Sequence, residues 1–495
     1  MNRAIAHFLR FGFGICLAAC ICIGATPVFA SEPDNESINM DDALQQFEED
    51  EELVGDELES ALQDFDDTDA QTDIETKPLK TKPLETMPLE ESPFDWRGDL
   101  TLSMAYDFNQ NAPDEGKTDL RGLSKTRLES DLIVDVDLSE NWKARAGIRA
   151  MYDMIFNING REDYTDDYLD TSESELEIKE LYIGGSLLDD LDIKFGRQIV
   201  SWGTSETIRI VDVVNPLDQR EPGQTDVEEM RLPVTMTRFD YYFDRQWSLT
   251  GLLIHEWRGN KDPGFGSPYY PSNIKLPNNK LSSFSAKNQE VALALTGRFS
   301  GWDMTLNAAR VFNDSGYLVV TPNGNLERSY ERFNMIGATV QIASGNMLYK
   351  GEVGYFDSLR FFNSSKDYQR LDTLLGIEYS GISNTDITFE ILNRHLLDFE
   401  NALTHTPDNT RRNVQRAIFR VSHDWANESW NVTLLSMFQG PADNNGSLQR
   451  LELTHDWSDN IQFTAGVILY NGNDGTYFEH IGNCDRIFFS AKYSF

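Results

Sequence analysis

The chain has 495 residues, with 81 acidic side chains against 43 basic ones and a formal net charge of −38. So large a negative excess argues against nucleic acid as a partner. Beyond the first thirty residues no window approaches eighteen apolar residues, so helical membrane spans are not expected.

Residues 1–30 read as a secretory signal. Arg3 and Arg10 are basic, Phe11 to Ala25 are nearly all apolar or small, and Val28-Phe29-Ala30 supplies a small-residue cleavage site. Leu17-Ala18-Ala19-Cys20 offers a competing lipoprotein-type box, but further apolar residues follow it. Cys16, Cys20 and Cys22 leave with the signal, and Cys484 then has no partner for a disulfide or a cysteine metal site. An exported chain with almost no cysteine fits a bacterial envelope protein.

Residues 31–75 are strongly acidic and poor in aromatics, a composition that argues for disorder. Within them Leu44, Phe47, Val54, Leu58, Ala61 and Phe65 follow a heptad pattern, broken at Glu51. That describes a short amphipathic or coiled-coil helix of marginal length, able to trimerise, dock on a partner or simply flicker. A Pro-rich pentad repeat follows, Thr76-Lys77-Pro78-Leu79-Lys80 and its two successors, within a linker at 76–97. A proline every five residues blocks helix and favours an extended, semi-rigid spacer.

From Gly98 to Phe495 the chain alternates apolar and polar residues in segment after segment. Strands are predicted at 98–107, 124–138, 141–156, 176–188, 190–202, 232–244, 246–257, 288–299 and 302–312. Nine more are predicted at 331–343, 346–357, 368–380, 384–394, 413–425, 429–438, 447–457, 460–470 and 483–495. Short turns such as Ser139-Glu140-Asn141 alternate with long polar gaps such as 157–174, 203–231 and 258–287. That asymmetry predicts an all-β fold, a transmembrane antiparallel β-barrel of about eighteen strands, or sixteen if two weak strands are misread. Tryptophans near strand ends, among them Trp142, Trp202, Trp257, Trp302, Trp425, Trp430 and Trp457, suggest an aromatic girdle. The expected location is the bacterial outer membrane, with the N-terminal segment in the periplasm.

The gap after the fifth strand carries the longest motif: Gly196-Arg197-Gln198, Ser201-Trp202-Gly203, Asn215-Pro216-Leu217-Asp218 and Arg231-Leu232-Pro233. It resembles the outer-membrane family known as domain of unknown function 1302. The Gly-Arg-Gln run is also similar to one in alginate-export-type barrels. The first resemblance implies a place beside envelope exporters and the handling of a hydrophobic or lipid-like compound. An apolar stripe of Ile208, Ile210, Val211, Val213 and Val214, mixed with Arg220 and other charges, suits a loop folded into the lumen as a constriction. Arg197 and Gln198 would anchor it, with Trp202 beside them, and Asn215-Pro216 would make a fixed turn. Arg197 could equally be a simple lumen salt-bridge partner. Lys143, Arg145 and Arg149 form an inward basic row, either paired with acidic residues of the preceding strand or laid out as a ladder for an anionic solute. The acidic run from Asp163 to Asp170 lacks the spacing and glycine of a calcium loop and reads as solvated charge.

The last strand places Ile487, Phe489, Tyr493 and Phe495 on one face and ends in phenylalanine, which looks like the signal read by the outer-membrane assembly machinery. No nucleophile elbow, phosphate loop or cofactor fingerprint occurs, so no enzyme, cofactor or metal is expected. The expected function is a channel or exporter-associated barrel for a small hydrophobic, lipid-like or saccharide-type solute, gated by residues 203–231. The alternative is a closed, partner-docking barrel that uses the acidic helix as a hook. Expected partners are outer-membrane lipid and lipopolysaccharide, the assembly machinery, and a periplasmic or inner-membrane exporter component.

Overall fold

The computed structural model describes residues 92–113, 117–277, 281–440, 446–472, 478 and 480–495. The signal peptide, the acidic segment with its heptad pattern and the proline repeats lie outside the described residues. Eighteen strands form one antiparallel sheet. The first nine are β1 (Phe94–Asp107), β2 (Gly122–Ser139), β3 (Trp142–Asp153), β4 (Ser174–Leu188), β5 (Leu191–Gln198), β6 (Val234–Tyr242), β7 (Trp247–Ile254), β8 (Glu290–Phe299) and β9 (Trp302–Phe312). A separate hairpin, β10 (Tyr317–Val320) with β11 (Leu326–Ser329), interrupts the wall. The wall resumes with β12 (Arg332–Ser344), β13 (Met347–Leu359), β14 (Tyr368–Ile382), β15 (Thr385–Leu396) and β16 (Asn413–Trp425). It ends with β17 (Trp430–Gln439), β18 (Ser447–Ser458), β19 (Ile461–Asn471) and β20 (Arg486–Ser494).

β1 pairs with β2 on one side and with β20 on the other, so the sheet closes and has no edge. At the seam Gly98 N donates to the Phe495 carbonyl at 2.9 Å, and Phe495 N donates back at 2.9 Å. The wall begins four residues before Gly98, because the ladder with β2 continues to Phe94 and beyond it Asp137 N donates to the Pro93 carbonyl. At one end the strands join through short turns, such as 140–141, 189–190, 300–301 and 459–460. At the other they join through long connections, such as 154–173, 199–233, 255–289 and 313–331.

Side chains alternate across this wall as the pleat requires. On β13 Tyr349, Val353 and Tyr355 are exposed outside, while Lys350 and Glu352 are buried inside. On β1 Leu100, Leu102, Met104 and Tyr106 form the outer face. An apolar exterior around a charged interior is the arrangement that hydrocarbon outside and a polar lumen inside select. Beside the short turns the exterior carries aromatic rings in contact: Phe299 stacks on Trp302 at 4.3 Å, and Trp430 on His455 at 3.9 Å. Trp202 and Trp257 do not join this girdle. Both lie in long connections and are buried, Trp202 in the interior core and Trp257 against Tyr330 and Phe312.

Short helices occupy the connection between β3 and β4: α1 (Ile155–Asn159) and α2 (Asp166–Ser172). Thr165 caps α2 by accepting from Tyr168 N, and Asp166 and Asp167 stand in its first turn, where the helix dipole favours negative charge. The acidic run is therefore in part a helix start, and Asp167 pairs with Lys275 at 2.6 Å.

Candidate functional site in the barrel lumen

The connection from β5 to β6, residues 199–233, is closed at its base by one side chain. Asn215 is fully buried. Its Oδ1 accepts from Val200 N at 2.8 Å, and its Nδ2 donates to the Leu232 carbonyl at 2.8 Å. The Pro216 carbonyl accepts from Leu232 N at 2.7 Å, so the Asn-Pro pair holds the start and the end of the segment together. Arg231 and Asp212, both buried, pair at 2.9 Å, and Arg209 adds a second bond to Asp212 at 3.0 Å. Gln198, also buried, donates to the Met236 carbonyl at 3.3 Å across the β5–β6 pair.

The apolar stripe lies in the barrel interior. Val200, Trp202, Ile208, Ile210, Val211 and Val214 share a core with inward residues of the wall, among them Met236, Ile254, Met335, Phe356, Leu374, Leu392 and Ile418. Two glycines on the inner face make room for it. A Cβ on Gly337 would stand 2.5 Å from Val211 Cγ1, and one on Gly354 would stand 2.8 Å from Ile210 Cγ2.

Polar contacts carry the segment to opposite walls. Glu352 on β13 accepts from Thr204 N, from Thr204 Oγ1 at 2.9 Å and from Ser205 N at 3.2 Å. Ser205 Oγ donates to Glu390 on β15 at 2.5 Å, and Arg420 on β16 donates to Glu206 at 2.8 Å. Further along, Glu221 accepts from Lys125 at 2.5 Å and from Arg127 at 3.1 Å, both on β2. Tyr470 on β19 donates to the Pro222 carbonyl at 2.6 Å, and Arg450 on β18 donates to Asp226 at 2.5 Å. In the ring of eighteen, β2 and β13 stand nine strands apart in either direction. The segment therefore crosses the lumen. Burial alone would raise the Glu221 carboxyl, but Arg127 and Lys125 outweigh it and hold it well below the ordinary carboxylate range.

The remaining charged residues of the motif meet in one network near the long-connection end. Arg197 pairs with Glu177 at 3.0 Å and with Glu256 at 2.6 Å. Glu177 also receives Arg258 at 2.8 Å and Lys261 at 2.7 Å. Lys261 passes to Glu175, which receives Arg220 at 2.7 Å, and Arg220 closes on Asp218 at 2.5 Å. The network thus ties β4 to both the 199–233 and the 255–289 connections. Lys143, Arg145 and Arg149 stand apart from it on β3. They pair with Asp137 at 3.1 Å, Asp135 at 2.6 Å and Asp131 at 2.9 Å on β2. Ile487, Phe489, Tyr493 and Phe495 lie exposed on the outer face.

Several residues central to this geometry carry no motif: Glu221, Lys125, Arg127, Glu352, Glu390 and Arg450. For those on wall strands the signal was parity. Lys125, Glu352, Glu390 and Arg450 are charges at inward positions of wall strands, and each is buried. A buried charge needs a partner, and the crossing segment supplies one.

An apolar outer band, a charged interior and full closure define the class: a transmembrane antiparallel β-barrel of the outer-membrane type. The chain belongs to the family described as protein of unknown function DUF1302, which matches residues 68–495. No curated protein matches it. Among solved structures, OccAB4 of Acinetobacter baumannii is 10% identical with a TM-score of 0.49, over 82% of this chain and 99% of that one. OccD3 (OpdP) of Pseudomonas aeruginosa is 8% identical with a TM-score of 0.47, over 81% and 91%. The outer membrane channel DcaP of Acinetobacter baumannii is 12% identical with a TM-score of 0.40, over 81% and 97%.

Proposed function

We propose that the chain is an outer-membrane channel whose passage is controlled by the segment 199–233. The observation that carries this reading is the crossing itself: one end of the segment bonds to Glu352 on β13 and the other to Lys125 on the opposite wall. A barrel of eighteen strands is too wide to be filled by its own wall side chains. A segment held by hydrogen bonds and ion pairs around an apolar knot can block such a lumen and can also leave it. The short turns then face the periplasm, with residues 31–75 on the same side, within reach of an exporter component. The outer row ending in Phe495 serves assembly. The solute is small and amphiphilic, since both apolar and charged groups line its route. Liposome swelling tests the reading. Vesicles carrying the full chain should swell faster than empty ones, and faster for smaller solutes. Swelling no faster than that of empty vesicles would favour a closed, partner-docking barrel.

A further inference from the structure

On β9 the alternation puts Leu306, Ala308 and Arg310 on the outer face, between the buried, inward Asn307, Ala309 and Val311. On β12 it puts Arg332, Asn334 and Ile336 outside. Arg310 stands opposite Asn334, and Arg332 opposite Phe312. The two arginines are therefore diagonal neighbours, within reach of each other's long side chains. The Arg332 guanidinium lies 4.1 Å from the Phe312 ring centroid. Its Nη2 donates to the Lys287 carbonyl and, at 3.1 Å, to the Gln289 carbonyl. Those bonds bring the exposed Lys287 to the same rim. Three cations from three chain segments thus meet on the outside of the barrel, at its long-connection end.

Little acid opposes them in a chain that is strongly anionic. Among the described residues neither Lys287 nor Arg310 has an ion pair. Arg332 bonds to backbone carbonyls rather than to a carboxylate. Glu290 lies within range of the Arg332 charge, but it is buried on the lumen side and accepts from the Phe312 amide. Asp357, on the outer face beyond Asn334, already accepts from Gln369 at 3.0 Å.

Depth decides what such a patch meets. Arg310 stands eight residues along β9 from Trp302, which belongs to the aromatic girdle beside the short turns. At about 3.3 Å per residue and a strand tilt of about 40°, that is roughly 20 Å along the barrel axis, against an apolar band about 25 Å tall. A charge on the lipid face is unfavourable at mid-depth and tolerated near the interface. Arg310 therefore sits where hydrocarbon gives way to headgroups. Beside and below it Val291, Leu293, Leu306 and Ile336 present exposed apolar surface. A guanidinium matches phosphate with paired donors, and an ammonium adds a point charge. Basic clusters at this level recognise anionic headgroups.

We infer that this patch docks a phosphorylated glycolipid of the outer leaflet. Its phosphate is held by Arg310, Arg332 and Lys287, and its acyl chains lie on the apolar face below. A free anion would use the cations alone, whereas the continuous apolar surface beneath them suits the lipid. The choice of leaflet rests on the orientation in the channel reading, with the short turns in the periplasm. The binding itself does not need conduction.

The experiment is native mass spectrometry on the full chain, stripped of lipid in detergent and then offered single lipids. The probes are bisphosphorylated lipid A, the phosphate-free form with the same acyl chains, and inorganic phosphate as competitor. The bisphosphorylated form should bind at least about tenfold more tightly than the phosphate-free form, roughly 1.4 kcal/mol. Inorganic phosphate at equal concentration should not displace it. Replacing Arg332 would free two carbonyls and uncover Phe312, so the test variant is Lys287→Gln with Arg310→Gln, with folding checked by heat-modifiable migration. It should weaken the bisphosphorylated lipid about tenfold or more and leave the phosphate-free one unchanged. A charge-matched control at the short-turn end, Arg245→Gln with Arg298→Gln, should bind as the wild type does. Equal binding of the two lipids, a test variant that binds like the wild type, or a control weakened as much as the test variant overturns the site. Displacement by equal inorganic phosphate overturns the lipid as its occupant. A barrel that holds the lipid but passes no solute overturns the channel reading instead and leaves the site standing.

Discussion

Glu221 and Lys125 meet at 2.5 Å, the first on the segment that crosses the lumen and the second on β2. Arg127 completes the contact at 3.1 Å. The opposite end of the same segment is held by Glu352 on β13, so two carboxylates on two chain segments fix one crossing.

Replacing Glu221 with Gln keeps its volume and removes its charge. Lys125 and Arg127 then face a neutral amide in a largely dry place, a loss on the order of 3 kcal/mol for a mostly buried pair. Trypsin should cut within 199–233 faster than in the wild type, and current recordings should show more open events. Cleavage at the wild-type rate would remove Glu221 from the account.

The same contact sets a pH expectation. The Glu221 carboxyl is held below its ordinary value, so its stabilisation is fully present above the unfolded value of about 4.3. It is lost only as pH falls through the lower, folded value. The Glu221 carboxyl should therefore contribute no step in conductance between about pH 5 and 7. A closed-to-open transition inside that window would contradict this latch.

Asn215→Ala removes the clamp at the base of the segment. A buried Val200 N–H and a buried Leu232 carbonyl each lose a partner, about 1–3 kcal/mol apiece. The folded barrel should persist, because its strand ladders are untouched, while hydrogen exchange within 199–233 rises. Unchanged exchange there would show that the clamp is dispensable.

Gly354→Val tests the fit of the apolar stripe. Its Cβ would meet Ile210 and Phe356, at 2.8 and 3.0 Å, so the segment or the wall must shift, at about 1–3 kcal/mol. Conductance should change while the barrel still assembles. The companion change Ile210→Ala should restore wild-type current, and a failure of that rescue would place the strain elsewhere.

Cys484 offers a different readout. It is buried beneath the connections, where Gln110 donates to its sulfur at 3.3 Å and its thiol faces the Pro268 carbonyl at 3.5 Å. Burial pushes its thiol up to about 12. A thiol reagent at pH 8 should leave it unmodified until the chain is denatured. Rapid labelling of the folded barrel would show that this packing opens.

The wall was readable from the chain because lipid and lumen impose a strict period of two, and each of the eighteen strands carries it. The hairpin β10–β11 and the helices α1 and α2 were not read, since they sit in polar connections without that period. Thr165 with Asp166 and Asp167 was a helix start in plain view, masked by the apparent excess of solvated acid. β5 ends at Gln198 rather than at Trp202 because Val200 and Trp202 leave the ladder for the interior core. The inward stripe from Ile208 to Val214 was legible as apolar residues with no strand period to serve. Its partners were not. Lys125 and Glu352 become opposite walls of one space only when β20 closes on β1, and a local pattern carries no trace of closure between such distant segments.

The most direct test deletes residues 208–226, joins the ends with a short Gly-Ser linker, and measures single-channel conductance in planar bilayers. The account predicts a folded barrel with a several-fold larger and steadier conductance than the wild type. A folded deletion variant with unchanged conductance would contradict it.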